Sequence, residues 1–429
     1  VLLYNSLTRR KEELPPPPGP IRVYVCGPTV YQRIHIGNAR PYVVFIWLKR
    51  WLESQGYDVT LVENVTDVND KIYEAADRQG IGSAELAEHA TRWYLEDTEA
   101  LGIGRPDHEP LASETISEIV ALVEELVGRG LAYESEGDVY FRVASYPDYG
   151  SLSGAKLDDM VAQEPSDLKE DQRDFALWKA TKPGEDTSWD SPWGAGRPGW
   201  HIECSAMAEK LLGPEFEIHG GGIDLRFPHH ENELAQSRGA GREFARLWAH
   251  NGMLELAEEK MSKSVGNIVP LREALDTHGR DAILLFFLTG HYRSPLEYSD
   301  EALEAAAKQA LDLRTAFRVV ERPGEDVPSW EQFAAALDDD FSTPLALSIL
   351  HAWRSAGELE LLDRGLAIFG LSVEDAGDAP PEVVRLAEER ERARRARDFP
   401  RADELRAEIG RLGWEVQDVP DGFRLIPKA

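Results

Sequence analysis

Two short segments carry residue types that could stabilise a transferring phosphate: His35-Ile36-Gly37-Asn38 near the start, and Lys260-Met261-Ser262-Lys263-Ser264 far downstream. The first lies where a strand pattern gives way to helical spacing. A helix N-terminus favours phosphate there, because unpaired N–H groups and the helix dipole converge on it. Gly37 lets the backbone approach closely, and His35 and Asn38 can donate hydrogen bonds to a pentavalent phosphate. Lys260 and Lys263 can act as point charges on departing pyrophosphate. Together the two segments point to ATP and an adenylate-forming reaction, which depends on positioning and positive potential more than on covalent chemistry. Taken alone, each has a plainer reading: a turn histidine beside a helix cap, and a solvated basic loop.

A second constellation suits a metal. Cys26 follows the first strand pattern, Cys204 sits in Trp200-His201-Ile202-Glu203-Cys204, and Phe227-Pro228-His229-His230-Glu231-Asn232-Glu233 adds imidazole and carboxylate. His229 and Glu233 share a helix face at i,i+4, and so do His230 and Glu233 at i,i+3. Spacing therefore leaves the choice of histidine open. Two thiolates, one imidazole and one carboxylate match tetrahedral zinc. The plainer reading is that both cysteines are small buried apolar residues. Two cysteines in 429 residues also argue against a disulfide framework.

These residues need elements to hold them. The proline run 14–20 is a stiff lead-in, 22–25 has a strand's apolar rhythm, Gly27 and Pro28 break it, and 38–52 has helical spacing. A strand at 59–65 completes a strand, helix, strand order. The fold class expected is α/β, with a Rossmann-type parallel sheet binding ligands beyond its C-terminal strand ends. Cys26, His35 and Thr66 fall at such ends. A helix-rich stretch, 84–131, leads to a strand at 137–143 in an insertion, after which the sheet resumes at 216–219. Gly220-Gly221-Gly222 and Asp224 follow, then a helix from His229-His230 and a strand at 247–254. Beyond Leu303 the pattern is helical, with breaks at 323–329 and 376–381, and strand character returns at 414–427.

Composition bounds the rest. A chain of 429 residues implies two to four domains. The longest apolar runs, such as 283–288, are far too short to span a bilayer. The start shows Lys and Arg followed by Pro15-Pro16-Pro17-Pro18 rather than a secretory signal, so a cytoplasmic protein is expected. With 47 basic and 77 acidic residues the net charge is −30, which argues against a nucleic-acid surface overall. Binding responds to local patches, however. Residues 390–411 interleave Arg390, Arg392, Arg394, Arg395, Arg397, Arg401, Arg406 and Arg411 with acids, a pattern that also suits a solvated helix pair.

The segments 25–31, 35–38, 197–205, 227–233 and 260–264, taken in order, resemble the motifs of the cysteinyl-tRNA synthetases, class I enzymes, over nearly the whole chain. The resemblance implies a cysteine--tRNA ligase that activates L-cysteine with Mg-ATP and passes it to the 2'-hydroxyl of the terminal adenosine of cysteine tRNA. Carried over by position, Cys26, Cys204, His229 and Glu233 would hold one zinc ion, the resemblance choosing His229 over His230. Gly27, Thr66 and Trp200 would wall the amino-acid pocket, Gly221 would lie near adenine, and Asp224 would accept from the ribose. His35, Asn38, Lys260 and Lys263 would stabilise activation.

The implied organisation is a Rossmann catalytic domain in two halves, 1–115 and 191–250, split by a connective insertion at 116–190. A stem-contact region with the lysine loop, 251–305, a helical bundle, 306–380, and a C-terminal anticodon-binding domain, 381–429, would follow. A monomer without membrane contact is expected. Departures from the family are Asn69, where an aspartate is common, and a shortened bundle between Phe341 and Pro381. Two rivals weaken on the same residues. The cysteine-activating ligase of mycothiol synthesis lacks an anticodon-binding end and carries a histidine at the Asn38 position, and a non-catalytic zinc and nucleotide sensor has no use for transition-state donors.

Overall fold

A computed structural model describes residues 1–156, 160, 164–256, 259–260, 269–318, 327–374, 379–419 and 422–427. The chain divides into two compact units, residues 1–307 with 334–345, and residues 308–333 with 346–429.

The first unit opens with an antiparallel hairpin, β1 (Leu2–Asn5) and β2 (Arg10–Glu13). Then β3 (Pro20–Val25), α1 (Ile36–Ser54) and β4 (Asp58–Glu63) form a parallel crossover. Both strands are buried through their last three residues, as a parallel sheet covered on two faces requires. α1 packs Tyr42, Val43, Phe45, Ile46, Trp47 and Trp51 into the core. α2 (Asp70–Gln79) starts at an Asn69 cap that accepts from Lys71 N and ends at Gly80, whose φ is 68°. It packs on α3 (Ser83–Glu99) through Ile72, Ala75, Ala76, Leu86 and Ala87.

The helix-rich stretch 84–131 is helical in two parts with a non-helical span between them. After α3, Gly102 and Gly104 take φ of 62° and 91°, and the chain runs beside β4, with Glu63 N and Val65 N donating to the carbonyls of His108 and Pro110. After a single 3-10 turn at Ala112–Glu114, α-helix resumes at α4 (Ile116–Gly128). The intervening stretch is held by backbone pairing with a sheet edge, which side-chain periodicity does not record.

An antiparallel sheet follows, in the order β5 (Ala132–Ser135), β6 (Asp138–Phe141), β7 (Phe175–Ala180) and β8 (Gly196–Pro198). Its first turn places Glu136 and Gly137 at φ of 54° and 88°, the mirror-type turn whose twist suits a hairpin. Then come α5 (Trp200–Leu212), β9 (Glu215–Gly222), α6 (His229–Gly239) and β10 (Phe244–Asn251). The main sheet has the order β10-β9-β3-β4, every pair parallel. Val25 lies opposite Gly220 on one side and Glu63 on the other. The connections from β3 thus lead to opposite sides of it. This is the switch point beyond which such sheets bind ligands.

β10 does not run on to Leu254. Gly252 N donates to Tyr292 O at 2.7 Å, and a side chain at Gly252 would meet the Ser294 carbonyl at 2.1 Å. The backbone therefore leaves the sheet there. β11 (Leu254–Leu256) joins β12 (Glu259–Lys260) and β13 (Leu296–Tyr298) in another sheet, with α7 (Leu271–His278) and α8 (Arg280–Leu288) between.

The element order finishes with α9 (Asp300–Arg314), α10 (Trp330–Asp338), α11 (Thr343–Ala356), α12 (Leu359–Ile368), α13 (Pro381–Arg395), α14 (Phe399–Arg411) and the hairpin β14 (Trp414–Val419) with β15 (Gly422–Pro427). Within the second unit Phe333 contacts Trp330, Trp353 and Phe369. A separate core of Val383, Leu386, Ala387, Leu405, Ile409 and Val416 unites α13, α14 and the terminal hairpin. No described helix is long and apolar enough to cross a membrane.

Candidate metal centre and activation site

Cys26 is the first residue beyond β3, and its N–H donates to the Gly220 carbonyl of β9. Cys204 lies on α5, whose start is fixed by Gly199: a side chain there would stand 2.0 Å from the Ala176 carbonyl of β7. His229 and Glu233 lie one turn apart on α6. All four are buried, and their donor atoms lie within 4.8 Å of one another. The same distance also groups Cys26, His219, His230 and Glu233.

The two sets share Cys26 and Glu233 and differ in the remaining ligands. His219 Nε2 is 2.8 Å from Glu233 Oε2, so it serves to orient that carboxylate. His230 Nδ1 pairs with His250 Nε2 at 2.9 Å. In the first set His201 Nδ1 meets His229 Nδ1 at 2.9 Å, while His229 Nε2 is buried, 3.2 Å from Glu233 Oε1, and makes no hydrogen bond. His230 Nε2 is likewise buried without a hydrogen bond, so both rings have the arrangement of a ligand nitrogen held by its other nitrogen, and His229 Nε2 is the nearer to Glu233 Oε1, at 3.2 Å against 3.9 Å. Burial pushes the Cys26 thiol well above its usual value and raises that of Cys204. Burial likewise pushes His229 and His230 well below theirs. A divalent cation would reverse the thiol preference, since a coordinated thiol is deprotonated. The donor set therefore fits zinc.

Cys26 also lines a cavity of 290 Å³ with Gly27, His35, Asn38, Trp200 and Asp224. Gly27 admits no substitute, because a Cβ would stand 1.8 Å from the Asn64 carbonyl oxygen. The Trp200 ring lies over His229 with centroids 4.3 Å apart, and Lys71 Nζ lies 5.9 Å from its centroid. Thr66 is buried behind this wall, its hydroxyl donating to Glu203 Oε2 at 3.2 Å. Gly221 lies under His230, whose ring would be 2.9 Å from an added Cβ.

His35 is the extended N-cap of α1, and its N–H is 3.4 Å from Asn38 Oδ1, so the motif residues also form a capping box. The far end of the lysine segment is tied to this motif: Ile36 N donates to Val269 O at 3.0 Å and Leu271 N to Ile34 O at 2.9 Å. Its near end is held by buried Arg40, which donates to the carbonyls of Gly252, Met253 and His291. Burial lowers the Arg40 guanidinium to about 10, so it stays charged near neutral pH. Lys260 ends β12, paired with Glu255. Lys263 lies outside the described residues.

Several residues to which the sequence analysis gave no role also build the site. Asn64 is buried between Gly27 and Thr66. Burial pushes the Glu203 carboxyl well above its usual range, and holds His201 down to about 3. Glu63, at the end of β4 and in the cavity lining, is raised to about 8 by burial against the opposing pull of its Tyr94 hydrogen bond. His201 and Glu203 precede Cys204 within the segment 197–205, and Asn64 immediately precedes the Val65-Thr66 pair, so position in or beside a motif was the available signal.

Residues 15–308 match the family model described as the tRNA synthetases class I (C) catalytic domain, which sets the class. The Cysteine--tRNA ligase of Brevibacillus brevis is 43% identical over 463 residues, covering 99% of this chain and 99% of its own. That of Alkalilimnicola ehrlichii is 45% identical, covering 98% of each. The chain belongs to the cysteine--tRNA ligase family. Among solved structures, a Mycobacterium tuberculosis methionyl-tRNA synthetase in complex with methionyl-adenylate superposes with a TM-score of 0.58 at 18% identity, over 82% of this chain and 87% of that one, which shows the shared fold.

Proposed function

We propose that this chain is an ATP-dependent cysteine--tRNA ligase that forms cysteinyl-adenylate and transfers the cysteinyl group to the terminal adenosine 2'-hydroxyl of cysteine tRNA. One observation carries this reading: Cys26 belongs both to the Cys26, Cys204, His229 and Glu233 cluster and to the cavity that His35 and Asn38 line. A centre suited to selecting a thiol would thus lie beside a helix end suited to binding phosphate.

Cys26, Cys204, His229 and Glu233 would hold zinc, and the ion would supply a soft partner for the substrate thiolate. That matters because cysteine and serine differ by one atom, too little for a cavity to discriminate by size. Gly27 and Trp200 would wall the pocket for the amino acid, with Thr66 buried behind them. The cysteine carboxylate attacks the α-phosphate of magnesium-bound ATP and pyrophosphate leaves. Asn38, at the third position of α1, and His35 at its cap stabilise the equatorial oxygens, while Lys260 and Lys263 draw off the pyrophosphate charge. Gly221 borders the adenine and Asp224 accepts from the ribose. In the transfer step the 2'-hydroxyl attacks the acyl carbon and AMP departs.

The proposed division of labour keeps the insertion at 116–190, the stem-contact region at 251–305, the helical bundle at 306–380 and the anticodon-binding end at 381–429. In that end Arg390 and Arg394 pair with Asp418, Arg395 with Glu391, and Arg401 with Glu389 and Glu404. Arg392, Arg397, Arg406 and Arg411 have no ion pair among the described residues and are the proposed phosphate contacts. The deciding experiment is aminoacylation of total tRNA with each of the twenty amino acids: cysteine alone should be transferred, and transfer of another, or of none, would overturn the assignment.

A further inference from the structure

The loop between β3 and α1 carries a cation to which neither ATP segment assigns a role. Arg33 lines the same cavity as His35 and Asn38, and its side chain is 35% exposed, within reach of a ligand there. One edge of the guanidinium is tethered: Nη1 donates at 2.6 Å to Oδ1 of Asp97, a fully buried residue of α3. One face is covered by Trp93, with Cζ 5.5 Å from the ring centroid. The other edge is open. Nε makes no hydrogen bond among the described residues, and Nη2 reaches only Glu96 Oε2, a half-exposed carboxylate, at 3.5 Å.

The tether is shared. Asp97 Oδ1 also accepts from Arg272 Nε at 3.0 Å, so one buried carboxylate serves two guanidinium groups. A guanidinium anchored on one edge presents its remaining N–H groups in a fixed fork, a geometry that matches phosphate oxygens. Little side-chain freedom would be lost on binding, because carboxylate and ring already hold the group in place.

Position indicates which phosphates it meets. His35 and Pro270 form an antiparallel bridge, flanked by the backbone bonds of Ile36 to Val269 and of Leu271 to Ile34. Arg33 and Arg272 follow at one end of that pairing, where the lysine segment returns to the first motif. The charge assigned to Lys260 and Lys263 is that of the departing pyrophosphate, and Arg33 stands on the same side of His35.

We infer that Arg33 is a further ATP-binding residue, holding the β- and γ-phosphates before the reaction and the pyrophosphate after it, with Asp97 as its positioning residue. The inference rests on the adenylate-forming reading above and adds to it a contact made already in the ground state.

Arg33→Gln removes the charge from a part-exposed side chain. In cysteine-dependent pyrophosphate exchange, KM for ATP and KM for pyrophosphate should both rise about tenfold or more, with turnover and KM for cysteine within about threefold. AMP and adenosine lack the β- and γ-phosphates, so their inhibition constants should stay within about twofold of wild type, whereas a merely disturbed loop would weaken every nucleotide alike. Asp97→Asn should raise KM for ATP in the same direction and add little in the Arg33→Gln background, since it acts through Arg33. An unchanged KM for ATP in Arg33→Gln overturns the inference, as does an equal loss of affinity for adenosine or full additivity of the two substitutions. Absence of cysteine-dependent exchange in wild type would instead sink the reading beneath it.

Discussion

Glu63 offers a test in which the sign is as informative as the size. Its carboxyl is buried, accepts from Tyr94 at 3.0 Å, and has a second oxygen, Oε2, with no hydrogen-bond partner. Burial raises it from 4.5 to about 8, Glu109 adds to the rise, and Tyr94 and Arg105 oppose it. A carboxyl whose folded value exceeds its unfolded one contributes stability that is complete below the unfolded value and is lost as pH rises through the folded value. The window therefore runs from 4.5 to about 8. Each unit of pH inside it costs about 1.4 kcal/mol, so raising the pH from roughly 6 to 8 should remove about 2 kcal/mol. Glu63→Gln keeps an acceptor for Tyr94 and cannot ionise. Melting of wild type and variant, followed across pH by circular dichroism, should coincide near pH 5 and separate by roughly 4 °C near pH 8, the variant being the more stable. Parallel pH profiles for the two proteins would show that Glu63 ionises in the folded state as it does in the unfolded one, and the burial argument would fail.

Other consequences follow from the proposed assignments. Cys204→Ser should lose most of its zinc on dialysis against a mild chelator, and stoichiometric zinc in that variant would remove Cys204 from the ligand set. Lys263→Ala should lower the turnover of cysteine-dependent pyrophosphate exchange about 10²-fold with little change in KM for ATP, as expected of a contact made mainly in the transition state. Weaker ATP binding at unchanged turnover would make it a ground-state contact. Ending the chain after Ala379 should spare exchange and greatly weaken transfer to tRNA, with wild-type transfer losing affinity steeply as salt rises. Efficient charging by the shortened chain would deny 381–429 a recognition role.

The parts of the fold legible in sequence are those where side-chain periodicity and burial agree. β3, α1, β4 and β9 bury patterned apolar residues, and the class of fold follows from their order. Residues 101–111 and the break after Asn251 were illegible because backbone pairing and glycine contacts with distant carbonyls decide them. The same limit applies to the site. Cys26, Cys204, His229 and Glu233 announce themselves by residue type, whereas spacing could not choose between His229 and His230, and in the structure each has one ring nitrogen against a neighbouring histidine and the other without a hydrogen bond. Asn64 and Glu203 are ordinary polar residues in sequence, and only their burial against Gly27 and Thr66 gives them a task.

The order of the main sheet also bears on how the chain is made. β3 takes β9 as a neighbour, and Arg22 and Glu217, which clasp those strands, are 195 residues apart. Cys26 and Glu233 are separated by 207 residues. Throughout synthesis of the intervening insertion, β3 can pair only with β4, leaving an apolar edge open to wrong partners. Closing so long a loop costs only slightly more free energy than closing a shorter one, yet it delays the contact that protects the edge. A bound ion that draws ligands from beyond β3 and from α6 would therefore act at birth as a late fastener, and scarcity of metal during growth should appear first as aggregated new chains, before it appears as inactive folded ones.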